Sequence, residues 1–419
     1  MEEEKEWRRI TYEIFSKLEE NWLKSHLCRT PSCKQTRILS IDGGSLKALT
    51  AAKALVHLES CIQMATQNPS ARIPDFFDLI AGTGLGGLLA AMLLSPDHAT
   101  GRPMYSAKEA IKCVVESSGN IFQRRGLFRR TFSGKSCDRT LARLLSFNGE
   151  PLKLSETLRP LLIPCYDLNS RAPFVFSRAS ARGSSSLDFE LWRVCRATGA
   201  MPGMFKPVEV TSVDRKTSCV AVDGGLVMNS PAAAAVTHVL HNKGEFPGVR
   251  GVGDVVVLSI GAGPMMAPAV GARREVGGRW GGGCSPAVVE AVLDGVSDSV
   301  DQILGNAFWG HRQNYVRIQK GWLAKHQSFM VQSFVQASSL PNEFESRMDG
   351  WSSKKVKAMV EAGERMLSER STESLPFGSK KLKSQTNAES LDAFARKIVA
   401  IAKSPPPSLS PYMRSLIYQ

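Results

Sequence analysis

Three short stretches of this chain carry residue types that could do chemistry together: Asp42-Gly43-Gly44-Ser45-Leu46-Lys47, Gly82-Thr83-Gly84-Leu85-Gly86 and Asp223-Gly224-Gly225. A carboxylate such as Asp223 can act as general base on a hydroxyl or a water within hydrogen-bonding reach. A glycine turn at a strand–helix junction leaves backbone N–H groups aimed outward, where the helix N-terminus adds positive potential. Such a turn, here Gly43, Gly44 and Ser45, can hold an anion, a phosphate or the oxyanion of an ester-hydrolysis intermediate. The middle stretch has the spacing of a nucleophile elbow, G-x-S-x-G, which lifts one side chain out of a sharp strand-to-helix turn. The lifted position here is Gly84, so the frame of Gly82, Thr83, Leu85 and Gly86 surrounds a position without a nucleophile.

The same glycines admit two other meanings. Gly82, Gly84 and Gly87 also fit G-x-G-x-x-G, the dinucleotide-binding fingerprint. That pattern needs a second strand ending in an acidic residue about 20 positions on, and a loop, Ser95 to Pro103, follows instead. A glycine turn that only packs a helix on a strand is the plain alternative for both glycine stretches.

The elements that must position these turns alternate between strand and helix. Arg37 to Ile41 is the first core strand, and an amphipathic helix runs from the first turn to about Met64. Phe76 to Ile80 is a strand leading into the elbow, and Leu88 to Leu94 is the helix leaving it. Leu161 to Leu168 and Phe174 to Phe176 are paired or adjacent strands, and Leu191 to Thr198 is a helix ending at Gly199. Cys219 to Val222 is a strand that delivers Asp223, and Asn229-Ser230-Pro231 opens another helix, with proline suited to its first turn. Val255 to Ile260 is a further buried strand. This alternation predicts an α/β sheet with helices on both faces.

Further helices are expected over 107–117, Pro286 to Phe308, 351–369 and 387–402. Trp7, Ile10, Ile14, Leu18 and Trp22 form one apolar stripe of an N-terminal amphipathic helix. Gly271 to Gly283 is expected to be a mobile loop, Ser371 to Gln385 a polar linker, and the chain from Ser404 a disordered tail. The organisation that follows is 1–36 as helix and linker, 37–242 as the main domain, 243–369 completing the sheet and its helices, and 370–419 as linker, helix and tail.

Composition narrows the class. The 419 residues are too many for one small core, and no apolar run approaches the roughly 18 residues of a membrane span. The N-terminus, Met1-Glu2-Glu3-Glu4-Lys5-Glu6, lacks the basic-then-apolar order of a signal peptide, so a cytoplasmic location is expected. Nine cysteines without a C-x-x-C pair are read as reduced thiols. His57, His238 and His241 sit in no partner motif and are read as satisfied or exposed. The net charge of +14 suits an anionic partner. No zinc-finger spacing or RNA-binding signature is present, so no nucleic acid is expected and a lipid surface is favoured. Arg124, Arg125, Arg129 and Arg130 bracket Leu127 and Phe128, a pattern that suits an anionic bilayer at about 1 kcal/mol per charge. A solvated basic loop is the plainer alternative.

Taken in order, the three turns resemble the patatin-like phospholipase family over about residues 38–242. Asp42 to Lys47 resembles the family's oxyanion-hole motif D-G-G-G-x-[KR], with Ser45 in place of the third glycine. Trp192, Ala197, Thr198 and Phe205 resemble its W-x-x-x-x-A-T-x-A-x-P-x-x-F stretch, and Asp223-Gly224-Gly225 its D-G-[GA] base motif. Glycine at the nucleophile position is similar to group III of the plant patatin-related phospholipases A. The resemblance implies a three-layer α/β/α sandwich with a mainly parallel sheet and helical N- and C-terminal extensions. It implies cleavage of fatty acyl esters of membrane phospholipids or galactolipids by a Ser–Asp dyad, with no metal and no cofactor. Asp223 would be the general base and Gly84 the position of the missing serine.

Three routes around the missing serine stay open: Thr83, Ser45, or water activated directly by Asp223. A pseudoenzyme that binds lipid or acyl chains and acts through partners is the alternative of a different class. Peripheral membrane binding is expected to be electrostatic. Replacing Arg124, Arg125, Arg129 and Arg130 with Gln should weaken co-sedimentation with anionic liposomes, and added salt should do the same. Binding unchanged by both treatments rules the patch out.

Overall fold

Parallel strands covered on both faces read as nearly continuous apolar runs, and three segments of this chain come close to that pattern and are buried throughout. The computed structural model describes residues 35–44, 48–123, 132–261, 286–320, 353–374 and 380–403. The N-terminal helix, Ser45, the arginines Arg124, Arg125, Arg129 and Arg130 with Leu127 and Phe128, the 271–283 loop and the tail from Ser404 lie outside the described residues.

Strand β1 (Thr36–Ile41) pairs in parallel with β2 (Leu79–Gly82) on one side. The later strand Val255–Ile260 pairs in parallel on its other side. Side chains alternate between two cores. Ile38, Leu79, Ala81, Val255 and Val257 enter one, and Leu39, Ile41, Ile80, Val256, Leu258 and Ile260 the other. This period of two is what a sheet buried on both faces requires.

Helix α1 (Ala48–Thr66) and α2 (Gly84–Leu94) cover one face. All 11 residues of α2 are buried, as expected for a helix apolar all round. Next come α3 (Ala107–Ile121) and α4 (Gly134–Leu144). The stretch between α2 and α3 holds only a two-residue pairing, Pro96–Asp97 with Arg102–Pro103, and no strand of the main sheet. That removes the dinucleotide-binding alternative.

Strand β3 (Leu161–Asp167) changes partners along its length. Its first residues pair in parallel with β2, and it runs antiparallel to β4 (Ala172–Ser177). Helix α5 (Leu191–Thr198) and β5 (Val208–Thr211) follow. Strand β6 (Ser218–Asp223) then pairs antiparallel with the last residues of β3, placing Asp223 opposite Cys165. Pro164 falls between the two pairings, where a residue without an N–H interrupts no ladder.

Helix α6 (Ala232–His241) and α7 (Pro286–Ala307) cover the second face, with β7 (Val255–Ile260) between them in the chain. With β8 (Tyr315–Ile318) the main sheet has eight strands in the order β8-β7-β1-β2-β3-β6-β5, with β4 also paired to β3. The result is a three-layer α/β/α sandwich with a mostly parallel sheet.

The C-terminal extension is α8 (Ser353–Ser368), β9 (Arg370–Ser374), β10 (Lys380–Thr386) and α9 (Asn387–Lys403). Both helices pack on α1. The linker expected over Ser371 to Gln385 is corrected here: β9 and β10 pair antiparallel. Polar composition misled because these strands dock through charge. Ser374 Oγ donates to Asp301 at 2.6 Å, and Lys380 Nζ to Asp298 at 2.7 Å. The described cysteines, Cys61, Cys113, Cys137, Cys165, Cys195 and Cys219, are free thiols. Among the described residues no helix is long and apolar enough to cross a membrane.

One ion pair joins the edge strand β8 to the first glycine turn. Arg317 on β8 reaches Asp42 at the end of β1 with two bonds, Nη1 to Oδ1 at 2.8 Å and Nη2 to Oδ2 at 2.5 Å. Each side chain is only 4% exposed. Burial by itself would pull the guanidinium pKa down, but Asp42 outweighs burial and holds it above its ordinary value. Gly261 makes the approach possible, since a Cβ there would lie 2.3 Å from Arg317 Nη2. Breaking a buried pair by removing one partner costs about 3–5 kcal/mol. Arg317→Met should therefore lower unfolding free energy by about that amount in a urea titration. Pairing it with Asp42→Leu should recover part of the loss, because no charge is then left buried alone.

Candidate functional site

The parallel register brings the ends of β1, β2 and β7 to one edge of the sheet, where ligands of α/β folds bind. Asp42 N–H donates to the Ile260 carbonyl and Thr83 N–H to the Ile41 carbonyl, so both turns start from the same level. Strand β6 arrives from the opposite direction and ends there too, at Asp223.

The elbow is built around Gly84. Its φ is +55°, in the left-handed region that favours glycine. The frame is as tight as the spacing required: a Cβ on Gly82 would lie 2.4 Å from the Gly86 carbonyl oxygen, and one on Gly86 2.4 Å from that of Asp42. Gly84 is different. A Cβ there would meet nothing closer than 3.7 Å, lying 3.8 Å from the Gly44 nitrogen and 3.9 Å from Asp223 Oδ1. The missing side chain thus leaves a space faced by a backbone N–H on one side and a carboxylate on the other.

The oxyanion turn needs one revision. Gly43 N–H donates to the Asn229 carbonyl at 2.8 Å, so it is committed and does not face the site. Gly43 contributes by its size instead, since a Cβ would lie 2.5 Å from Asn229 Oδ1. Gly44, with φ of +109°, is the described residue of this turn whose nitrogen faces Gly84. Ser45 lies outside the described residues.

Asp223 is buried, and its Oδ1 accepts from Gly225 N–H at 2.7 Å. Gly224 allows the strand end to pass β3, where a Cβ would lie 2.1 Å from the Pro164 carbonyl oxygen. Two threonines tie the elbow to this motif. Thr198 Oγ1 accepts from Gly84 N–H at 3.0 Å, and Thr83 Oγ1 donates to the Met228 carbonyl at 2.7 Å. Both threonines have no exposed surface, so neither hydroxyl is available as a displaced nucleophile.

Behind the turn, Asn229 Nδ2 donates to Leu293 O at 3.1 Å and to Ser297 Oγ at 2.8 Å. Ser297 Oγ donates in turn to Asp42 Oδ2 at 3.3 Å. Sequence reasoning missed Ser297 and Arg317 as supports of the site, and saw Thr198 and Asn229 only as parts of motifs. An arginine inside the apolar run Tyr315-Val316-Arg317-Ile318 was the available signal.

Gly84, Gly44 and Asp223 form the floor of a cleft of about 540 Å³, including its open mouth. Its walls are mainly apolar: Leu85 and Leu88 from α2, Ile121 from α3, Leu141 from α4, and Met201, Met204 and Phe205 beyond α5. Arg196 also lines it, but its Nε donates to Asp138 at 2.8 Å and its guanidinium lies 4.6 Å from the Phe205 ring centroid. The thiols of Cys137 and Cys195 reach the cleft as well. Burial pushes Cys137 up to about 12 and Cys195 further above its ordinary value, so neither is a thiolate nucleophile at neutral pH. Such a cleft can take a linear apolar chain and present a carbonyl at its end to one N–H and one carboxylate.

Of the described residues nearest in sequence to the four arginines, Phe122 lines the cleft, and Phe132 packs on Phe122 and Phe205 at 5.6 and 5.5 Å.

Comparison with known proteins fits the order of these motifs. The family model described as patatin-like phospholipase matches residues 39–236. "Probable inactive patatin-like protein 9" of Arabidopsis thaliana is 46% identical over 96% of this chain and 95% of its own length. "Patatin-like protein 6" of Arabidopsis thaliana is 41% identical over 86% of this chain and 71% of its own. "Patatin-like protein 3" of Oryza sativa subsp. indica is 39% identical over 93% of this chain and 90% of its own. Among solved structures, VipD from Legionella pneumophila covers 79% of this chain and 66% of its own at 10% identity and a TM-score of 0.30, a likeness too distant to carry an argument. With the motifs in order and relatives 39–46% identical over 71–95% of their own length, this chain belongs to the patatin-like phospholipase family.

Proposed function

We propose that this protein is an atypical lipid acyl hydrolase that cleaves a fatty acyl ester of a membrane phospholipid or galactolipid by direct attack of water. The observation that carries this reading is the space at Gly84, faced by Asp223 Oδ1 and the Gly44 nitrogen at the floor of an apolar cleft. A serine would fill that space and form an acyl-enzyme; a water there can be deprotonated by Asp223 while Gly44 N–H holds the oxyanion. With one described oxyanion donor and no covalent intermediate, turnover is slow. Removal of a triad member in serine proteases still leaves roughly 10³–10⁴-fold catalysis over water from the oxyanion hole and binding. The protein meets its substrate at an anionic membrane surface from the cytoplasm, through the basic residues Arg124, Arg125, Arg129 and Arg130.

A second reading is supported by the same glycine and by the word "inactive" in the name of one relative. In that reading the cleft holds a lipid acyl chain without cleaving it, and the protein acts through partners.

Two substitutions separate them. Asp223→Asn should abolish hydrolysis of a defined phospholipid or galactolipid by the purified protein. Activity that survives it unchanged overturns the water-attack mechanism. Gly84→Ser should raise the rate, accept a covalent fluorophosphonate probe at residue 84, and lose both gains when Asp223→Asn is added. The serine must adopt a φ near +55°, so a destabilisation on the order of 1–3 kcal/mol should accompany the gain. No hydrolysis by the natural protein, with acyl-chain binding retained, establishes the pseudoenzyme instead.

A further inference from the structure

Away from the cleft, three side chains of different chemistry converge where the C-terminal helix lies on α1. His57 and Cys61 are four residues apart on α1 and so share one face. Asp392 reaches them from α9. Its Oδ1 lies 2.8 Å from His57 Nε2 and accepts from Cys61 Sγ at 2.9 Å. One donor atom from each residue falls within 4.8 Å of the other two.

We propose that His57, Cys61 and Asp392 form a zinc site that clamps the C-terminal helix to α1. An imidazole nitrogen, a thiolate sulfur and a carboxylate oxygen are the donor types that zinc accepts together, whereas magnesium and calcium take oxygen donors. Zinc bonds of about 2.0–2.3 Å in a tetrahedron set donor atoms about 3.3–3.7 Å apart. The present contacts are shorter because protons, not a metal, hold them together. A shift of well under 1 Å in the Asp392 side chain would open its own two contacts to the spacing zinc needs. The side chains of His57 and Asp392 are 30% and 38% exposed, so a cation can enter and a water can take the fourth position.

On binding, the thiol proton of Cys61 leaves to solvent, and zinc–sulfur, zinc–nitrogen and zinc–oxygen bonds replace the two hydrogen bonds. Burial, then Asp392, push the thiol up to about 12 in the metal-free site, and this opposes binding. Arg396 favours the thiolate but repels the cation. The ordinary alternative is a hydrogen-bonded His–Asp–Cys cluster with no affinity for metal, and the two differ in what zinc does.

The test uses the full-length protein after chelator treatment. Excess Zn²⁺ should raise the melting temperature by about 3 °C or more, while Mg²⁺ should not. Cys61→Ser and Asp392→Asn should each lose most of that shift. Co²⁺ should give a thiolate-to-cobalt charge-transfer band that survives Cys28→Ser with Cys33→Ser and disappears in Cys61→Ser. No shift and no band in the natural protein overturns the proposal, as does a shift or band that Cys61→Ser and Asp392→Asn retain. Should Cys61→Ser not fold, Asp392→Asn decides by the same two readouts.

Discussion

The Asp42–Arg317 ion pair is the interaction on which the candidate site depends. Asp42 begins the turn that faces Gly84, yet its carboxylate points backward, into the sheet, and is held there by a strand more than 270 residues later. A carboxylate with almost no exposed surface is tolerable only when paired and hydrogen-bonded. Arg317 and Ser297 satisfy it, and Arg317 Nη1 also donates to Ser259 at 2.7 Å. The part of the chain that matches the family model therefore does not hold its own turn unaided. Residues 39–236 carry the motifs, while α7, β7 and β8 hold the first of them in place.

Glycine serves two opposite purposes at the elbow. At Gly82 and Gly86 it permits contact, because backbone meets backbone too closely for any Cβ. At Gly84 it leaves a gap, because the neighbouring atoms stand at ordinary van der Waals distance from where a Cβ would be. The loss at position 84 removes a nucleophile and relieves strain at a φ of +55°, without disturbing the packing that aims the turn.

Much of this was legible in the sequence where local pattern and burial agree. The strand runs of β1, β2 and β7 and the helix of α2 are apolar enough to be read directly, and glycine spacing marked the elbow and both aspartate turns. What escaped was non-local or polar. Gly43 was expected to donate to an oxyanion, but the carbonyl that takes its N–H belongs to Asn229, nearly 190 residues away. The strands β9 and β10 looked like a linker because Ser374 and Lys380 are stabilised by Asp301 and Asp298 rather than by hydrophobicity. Arg317, a charge inside a short apolar run, was passed over in the sequence, and only the fold shows that it pairs with Asp42.

The complete burial of α2 has a consequence for motion. All 11 of its residues are shielded, and its first turn is locked to β1 and α5 by the contacts of Gly86 and Gly87. Its amide hydrogens can exchange with solvent only when the whole sandwich opens, so the elbow belongs to the most slowly exchanging unit of the molecule. The elbow is then no hinge. Whatever enters the cleft then meets a fixed elbow on the α2 side, and any breathing of the site falls to the lining residues outside α2, among them Phe122, Met204 and Phe205.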